Sequence, residues 1–408
     1  MRILVATHNY PRWAGDHAGS FVARLAVGLR ERGHELQVVA PHAPGALERE
    51  TLDGVAVARF RYAPVRWETV AYRGDMHRRP LASLFGAVAL PAFLSAFAIA
   101  LRSAERRFAP DLVHAHWWLP AGLLASRLRA PLVVTSHGSD VRLLERSPMV
   151  RRLAAGVFER AAAVTAVSEF LARDLAAALP GAARDVRTLR MPVALERFAP
   201  MASAARAAPP LILYAGNLLE SKGVGDLLSA FALLRRRGVQ CRLRLVGGGP
   251  DEGKFRTLAR ELGLEDDVSW AGVVAHDRMP AEYGAATVTA LVSRGQAEGL
   301  GLTLVEALAS GSAVVGSPAG GIPEVVLDGE TGLIARDGDP EHLADQLESL
   351  LRDTALRERL VAAGRQHVHR LFAAGPAVMA YEALYHEVVL ARREGRGAGT
   401  RSAARRGG

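Results

Sequence analysis

The sequence predicts an α/β protein of two tandem doubly wound parallel-sheet domains facing across a cleft, and three observations carry that expectation. Short β-branched runs alternate with longer helical patterns along the whole chain, as in parallel sheets covered by helices. A stretch of small residues and prolines, Met201 to Pro210, separates two such series. Several strands run straight into glycine-bearing loops, and open parallel sheets bind their ligands beyond the carboxyl ends of their strands. With 408 residues, 50% hydrophobic and 23% charged, the chain is too long for one ordinary core and too apolar to be disordered.

The elements follow in order. Ile3 to Ala6 reads as a strand, Ser20 to Arg32 as a helix ended by Gly33, and Leu36 to Ala40 as the next strand. Leu112 to Ala115, Leu132 to Thr135 and Ala163 to Val167 repeat the strand signal, and Ser168 stands where a helix N-cap belongs. In the second series the strands are Leu211 to Ala215, Leu243 to Val246, Val268 to Trp270, Val288 to Val292, Ala313 to Gly316 and Gly332 to Ala335. Helices are expected at Gly225 to Arg236, Lys254 to Leu262 and Pro376 to Arg392. The expected organisation is a first domain 1–198, a linker 199–210, a second domain 211–375, a helix 376–391 returning to the first domain and a disordered basic tail 392–408.

Composition narrows the function classes. The only cysteine is Cys241, so an internal disulfide and any Cys-based metal cage are excluded. Of the net charge of +9, Arg392, Arg393, Arg396, Arg401, Arg405 and Arg406 against Glu394 supply +5. The body is mildly basic, which argues against nucleic acid as a partner. The tail reads as a solvated segment, with an anionic membrane surface as its other reading. No secretory signal opens the chain, and a cytoplasmic location is expected. The uncharged run Leu81 to Leu101 would reach about 32 Å as one helix, enough to cross a bilayer. Gly86 and Pro91 inside it, and strands of one sheet on both sides, favour a buried or membrane-surface helix pair.

The most informative stretch is Glu298-Gly-Leu-Gly-Leu-Thr-Leu-Val-Glu306. Its glycines follow a strand and a helix starts near Leu302, so bare N–H groups and a positive helix end would face a ligand. The two glutamates would lie about 12 Å apart on a continuous helix. A nucleoside diphosphate sugar has that length, with sugar hydroxyls for one carboxylate and ribose hydroxyls for the other. The plainer alternative leaves Glu306 paired with a neighbouring helix and Glu298 solvated. Gly216-Asn217-Leu-Leu-Glu-Ser-Lys222-Gly223 places a lysine before a helix start, an odd position for a cation unless an anion arrives.

In the first series His137-Gly-Ser-Asp140 lies at a strand's carboxyl end, where both side chains are candidates for gripping a sugar. His114 and His116 read as core or rim groups. Gly247-Gly-Gly249 is a weak dinucleotide signal, since no Gly-x-Gly-x-x-Gly follows the first strand. Asp339 in Asp337-Gly-Asp339 is better explained as an N-cap before Pro340 than as a metal ligand.

Taken in order, these segments resemble glycosyltransferase family 4 (group 1), retaining nucleotide-sugar-dependent enzymes of the GT-B architecture with two Rossmann-like domains. The resemblance spans residues 1 to 390 and is also carried by Asp111-Leu-Val-His-Ala-His116, Gly320-Gly321-Ile-Pro-Glu324 and Gly329 to Gly332. It implies a catalytic set of Lys222, Glu298 and His137: Lys222 on the leaving diphosphate, Glu298 by the donor sugar and His137 near the reacting carbon. Gly216, Asn217 and Gly247 would line the donor loops, while Gly299, Leu300, Gly301, Leu302 and Thr303 would offer backbone donors. Glu306 would hold the ribose, and Gly15, Gly19 and Asp140 would lie where donor or acceptor approaches.

The implied reaction moves a sugar from a UDP- or GDP-sugar to a hydroxyl of a glycan, lipid-linked or small-molecule acceptor, with no metal or other cofactor. Trp67, Trp117, Trp118 and the 81–101 run leave peripheral contact with a membrane surface open. Two departures stand out: Asn217 where the family usually has arginine, and Met191-Pro192-Val193 where Asn-Gly-Val is common. Asn217 motivates the competing expectation of a catalytically weak partner or carbohydrate-binding subunit. A nicotinamide-dependent oxidoreductase is disfavoured by the missing fingerprint.

Overall fold

The computed structural model describes residues 1–16, 18–68, 70–72, 84–183, 185–198, 200, 209–295 and 298–405. It divides into two compact units: Met1–Val167 with Leu171–Pro192 and Ala374–Gly408, and Val193–Ala373 with Ser168–Phe170. The division falls between Pro192 and Val193 rather than after Phe198, because Val193, Leu195 and Phe198 are buried in the second core. Residues 199 and 201–208 of the expected linker lie outside the described residues.

The first unit holds an eight-stranded sheet made of β1 (Arg2–Ala6), β2 (Glu35–Pro41), β3 (Arg49–Leu52), β4 (Val55–Phe60), β5 (Leu112–His116), β6 (Leu132–Ser136), β7 (Ala163–Ala166) and β8 (Val186–Thr188). Its order is β3-β4-β2-β1-β5-β6-β7-β8, and all pairs are parallel except the β3–β4 hairpin. Strands β5 and β6 are buried at every position, as a sheet covered on both faces requires. The chain winds outward from β1 through β2, then returns to place β5 on the other side of β1. That reversal is a switch point, with the loops after β1 and β5 diverging above it.

The 81–101 run forms one helix, Leu84–Phe108, and not the expected pair; residues 81–83 lie outside the described residues. Phe93, Phe97, Leu101 and Ala104 are buried, and Phe60 of β4 stacks on Phe97 with ring centroids 4.6 Å apart. This apolar stripe at spacings of three and four carries the helix through Pro91, because burial of two phenylalanines outweighs one missing backbone hydrogen bond. Among the described residues no helix is long and apolar enough to cross a membrane.

The last helix, Ala374–Arg405, belongs to the first unit. The Tyr381 hydroxyl donates to the Leu189 carbonyl at 3.0 Å, and His34 pairs with Glu382 at 2.7 Å. The helix continues past residue 391, where the sequence reading ends it and starts a disordered tail. Residues 406–408 lie outside the described residues.

The second unit is a six-stranded parallel sheet of β9 (Leu211–Ala215), β10 (Arg242–Val246), β11 (Val268–Gly272), β12 (Val288–Leu291), β13 (Ala313–Gly316) and β14 (Leu333–Ile334). Its order, β11-β10-β9-β12-β13-β14, puts a second switch point between β9 and β12. The loops after those strands carry the Lys222 and Glu298 motifs. Asp339 caps the helix Pro340–Arg352, its carboxylate accepting from the His342 N–H at 2.9 Å, as the sequence predicts.

Candidate functional site

The second unit builds a site from the two loops at its switch point. After β9 the chain makes a short turn, Glu220–Lys222, and enters the helix Val224–Arg236 through Gly223. Gly223 has φ 71°, and a Cβ there would strike the Val292 carbonyl oxygen, so only glycine lets the two loops touch. The Arg294 N–H donates to the Ser221 carbonyl at 2.9 Å and ties the loops again. Lys222 Nζ therefore reaches Glu298 Oε2 at 2.7 Å, both side chains 18% exposed. Ser293 Oγ donates weakly to the same oxygen at 3.5 Å. Glu298 is thus not the solvated loop residue of the plainer expectation. Gly320 and Gly321 press against the backbone of Glu298 and Gly299, and the Gly321 N–H donates to the Glu298 carbonyl at 3.3 Å.

From Glu298 the chain passes Gly299 and buried Leu300 to Gly301, whose φ of 82° turns it into the helix Leu302–Ala309. The Leu304 N–H donates to the Gly301 carbonyl at 2.9 Å, and a helix start leaves the N–H groups ahead of it without an intrahelical partner. Thr303 uses its hydroxyl within the protein, donating to the Ala215 carbonyl at 3.2 Å. Gly216 and Gly247 join neighbouring loops: the Gly216 N–H donates to the Val246 carbonyl, and a Cβ on Gly247 would strike the Gly216 carbonyl oxygen. Asn217 is exposed, and its carbonyl accepts from the buried Tyr214 hydroxyl at 2.7 Å. Burial and the Glu298 charge both push the Tyr214 phenol up.

Glu306, one helix face further on, is engaged. His276 Nε2 lies 3.1 Å from Oε1, and the Tyr283 hydroxyl donates to Oε2 at 3.0 Å. The plainer expectation of a partner on a neighbouring helix is met by Tyr283, in the helix Met279–Ala285. Both partners were missed in the sequence; His276 carried one usable signal, a polar ring on the loop beyond a strand's carboxyl end. Arg294 was missed too, but its guanidinium is bidentate on Asp226, with Nε at 2.8 Å, and so does not replace a cation at position 217.

The first unit gathers a different set at its own switch point. His116 Nδ1 and His137 Nε2 are 3.0 Å apart, and the Trp117 ring lies 4.3 Å from that of His137 and 4.4 Å from that of His8. Burial holds both His116 and His137 well below the usual imidazole range, so each is neutral near pH 7. Asp140 does not grip a sugar. It is fully buried, and its carboxylate accepts from the N–H groups of His137 at 3.0 Å, Gly138 at 3.1 Å and Trp118 at 3.1 Å. Asp140 therefore shapes the loop that presents His137. Trp118 is likewise core, its indole donating to the Asp140 carbonyl at 2.7 Å. Gly19 has φ 60° and lies against the Asn9 carbonyl, where a Cβ would clash, whereas a Cβ on Gly15 would meet nothing within 4 Å. Among the described residues no cluster of three His, Cys, Asp or Glu side chains could hold a metal ion.

Residues 18–197 match the description Glycosyltransferase Family 4, and residues 198–367 match Glycosyl transferases group 1. A GDP-mannose-dependent alpha-(1-6)-phosphatidylinositol monomannoside mannosyltransferase of Mycobacterium tuberculosis is 30% identical over 391 residues, covering 90% of this chain and 93% of that one. An N-acetyl-alpha-D-glucosaminyl L-malate synthase of Bacillus anthracis is 26% identical, covering 95% and 98%. Among solved structures, a sucrose-phosphate synthase from Thermosynechococcus elongatus superimposes with a TM-score of 0.79 at 23% identity, covering 96% of this chain and 100% of that one. The chain belongs to the group 1 glycosyltransferases, family 4, and is a transferase of the GT-B fold.

Proposed function

We propose that the protein transfers a sugar, with retention of anomeric configuration, from a UDP- or GDP-sugar to a hydroxyl of a glycan, lipid-linked or small-molecule acceptor. The observation that carries this reading is the Lys222–Glu298 contact at a switch point, beside the start of the helix Leu302–Ala309. A cation, a carboxylate and free N–H groups on adjoining loops are what a diphosphate joined to a polyol needs. The donor's diphosphate takes Lys222 and the helix start, its sugar hydroxyls take Glu298, and its ribose takes Glu306. His137, neutral and presented by the Asp140 loop, is in this reading the first unit's contact to the donor sugar.

In the proposed step the acceptor oxygen bonds to the anomeric carbon as the bond from that carbon to the diphosphate breaks. The acceptor's proton passes to the departing phosphate oxygen on the same face. Lys222 and the backbone donors stabilise the charge that develops there, so the step needs no metal. The GDP-mannose dependence named for the mycobacterial relative supports testing GDP-mannose first. The first unit, with Trp117 beside His137, receives the acceptor in this reading, and the enzyme works in the cytoplasm, where a membrane-surface acceptor would be met peripherally.

Asn217 favours one second reading, a catalytically weak carbohydrate-binding partner, because an uncharged side chain stands where the family usually offers a cation. One experiment separates the two. The protein is incubated with GDP-mannose, UDP-glucose and UDP-N-acetylglucosamine and a panel of polyol, glycan and lipid-linked acceptors, and the product's anomeric configuration is read by proton NMR. Transfer with the donor's configuration kept supports the first reading. Inverted product overturns the mechanism, and binding of a donor without turnover on any acceptor supports the second reading.

A further inference from the structure

His116 and His137 are joined by a single contact, His116 Nδ1 to His137 Nε2 at 3.0 Å. Burial lowers both well below the usual imidazole range, so each ring carries one proton and one of the two lies in the bond between them. Which ring donates decides where the other proton stands. If His137 donates, His116 must carry its own proton on Nε2. That atom is buried and, among the described residues, has no hydrogen-bond partner. The ring of His114, 4.1 Å away, does not serve it, since its Nε2 is committed to Thr135 Oγ1 at 2.6 Å and its Nδ1 to the Tyr385 hydroxyl at 2.7 Å. A buried N–H left without an acceptor is rarer in folded proteins than an acceptor left without a donor. The arrangement of lower cost therefore leaves a bare lone pair on His116 Nε2 and puts its proton on Nδ1.

We propose that His116 donates from Nδ1 to His137 Nε2 and thereby fixes His137 as its Nδ1–H tautomer, so that the loop presents a hydrogen-bond donor and not a base. The ring of Trp117 lies 4.3 Å from that of His137 and the ring of Phe21 5.1 Å from it, so His137 cannot turn over to exchange its nitrogens without displacing them. His137 is half-buried, and among the described residues its ring makes no hydrogen bond besides the one to His116. Nδ1 is left for a ligand. An N–H there suits a hydroxyl or ring oxygen of a sugar, and it cannot take a proton from an acceptor hydroxyl. That agrees with a step in which the acceptor's proton goes to the departing phosphate oxygen. His116 acts through His137 and is a positioning residue. The inference rests on the reading of His137 as the first unit's sugar contact, and adds to it the proton that makes the contact and the residue that holds it in place.

The test is two-bond nitrogen–proton NMR correlation on the full chain carrying isotope-labelled histidine near neutral pH, which tells a protonated ring nitrogen from a bare one. The His137 signals are those lost in His137→Phe. Wild type should show His137 protonated on Nδ1 and bare on Nε2. His116→Leu, which removes the donor, should shift that proton toward Nε2, and His116→Asn, whose amide N–H can replace the imidazole donor, should keep it on Nδ1. A His137 proton on Nε2 or on both nitrogens in wild type would overturn the inference, and so would a tautomer unchanged in His116→Leu. Should His116→Leu fail to fold, the wild-type spectrum decides the matter. Calorimetry tests the reading beneath it through the preference for GDP-mannose over GDP, or for UDP-glucose over UDP. That preference should shrink about fivefold in His137→Phe and His116→Leu and return in His116→Asn. A preference lost in His137→Phe but kept in His116→Leu would also overturn the positioning role. A preference unchanged in His137→Phe would remove His137 from the sugar while leaving the tautomer standing.

Discussion

Lys222 and Glu298, 76 residues apart in the chain, meet at 2.7 Å because β9 and β12 are adjacent parallel strands of one sheet. In the unliganded protein each is the other's counter-ion. A donor that offers Lys222 a diphosphate and Glu298 a sugar exchanges one pair of charges for another, so neither is left buried and alone. Lys222→Ala should lower kcat by about 10²- to 10³-fold, as loss of one transition-state contact does. Glu298→Gln should lower kcat comparably yet leave binding of the sugar-free nucleoside diphosphate as tight or tighter, since the carboxylate no longer competes with the diphosphate for Lys222. Steady-state rates and calorimetry on both variants check this, and weaker diphosphate binding by Glu298→Gln would contradict it.

Asn217 is exposed, and its backbone carbonyl accepts from the Tyr214 hydroxyl and the Leu219 N–H. An arginine at this exposed position would add a guanidinium to the loop that carries Lys222. Asn217→Arg should raise kcat/KM for the preferred donor by roughly tenfold. An unchanged or lower value would mean that the leaving group is supported from elsewhere.

Since Lys222 and backbone N–H groups carry the leaving charge in the proposed step, chelation should have no effect. Transfer rates measured with millimolar EDTA and with millimolar magnesium should agree within about twofold. A collapse in EDTA that magnesium restores would refute the metal-free step.

Asp140 accepts from three backbone N–H groups while fully buried. Asp140→Ala leaves those donors unpaired, at about 1–3 kcal/mol each. The thermal midpoint should fall by on the order of 10 °C, and Asp140→Asn, which retains one oxygen, should fall less. A wild-type melting curve for Asp140→Ala would make the residue dispensable to the loop.

The histidines predict acid sensitivity. Burial brings His114 down to about 3 and holds His116 well below its ordinary value, with the neighbouring imidazoles of His114 and His137 adding to the shift. Unfolded histidines take up protons near pH 6.5, so between that pH and about 3 the unfolded chain binds more protons than the native one. Stability therefore rises with pH across this window and is lost as pH falls through it, by roughly 1.4 kcal/mol per pH unit for each histidine. Denaturant unfolding at pH 7, 6 and 5 should show that slope, and His114→Gln should flatten it. A stability that rises as pH falls from 7 to 5 would contradict the buried, neutral assignment.

What the sequence disclosed was what lies along the chain. Lys222-Gly223, the strand before Glu298 and the helix after Gly301 each announce themselves by local spacing, and the switch points follow from alternating strands and helices. What it hid was what lies across the chain. Glu306 owes its orientation to His276 and Tyr283, which arrive from another strand's loop and helix with no motif of their own. Asp140 sits in a loop where a ligand-facing and a backbone-clamping carboxylate look alike, and only its burial tells them apart. Pro91 reads as a break until Phe93 and Phe97 are seen packed on Phe60. The hairpin β3–β4 went unread even though Asp53-Gly54 marks its turn, because Arg49–Leu52 is an exposed edge strand with no apolar alternation.

In the proposed function Lys222, Glu298 and Glu306 form one site for a nucleoside diphosphate sugar. Thermal unfolding of wild type, Lys222→Ala and Glu306→Ala with and without millimolar GDP, UDP and NAD tests it most directly. Saturation to 100 times the dissociation constant stabilises a fold by about 2.7 kcal/mol. The wild-type midpoint should rise clearly with GDP or UDP, and that rise should disappear in both variants. No shift with either nucleotide, or a shift with NAD alone, would contradict it.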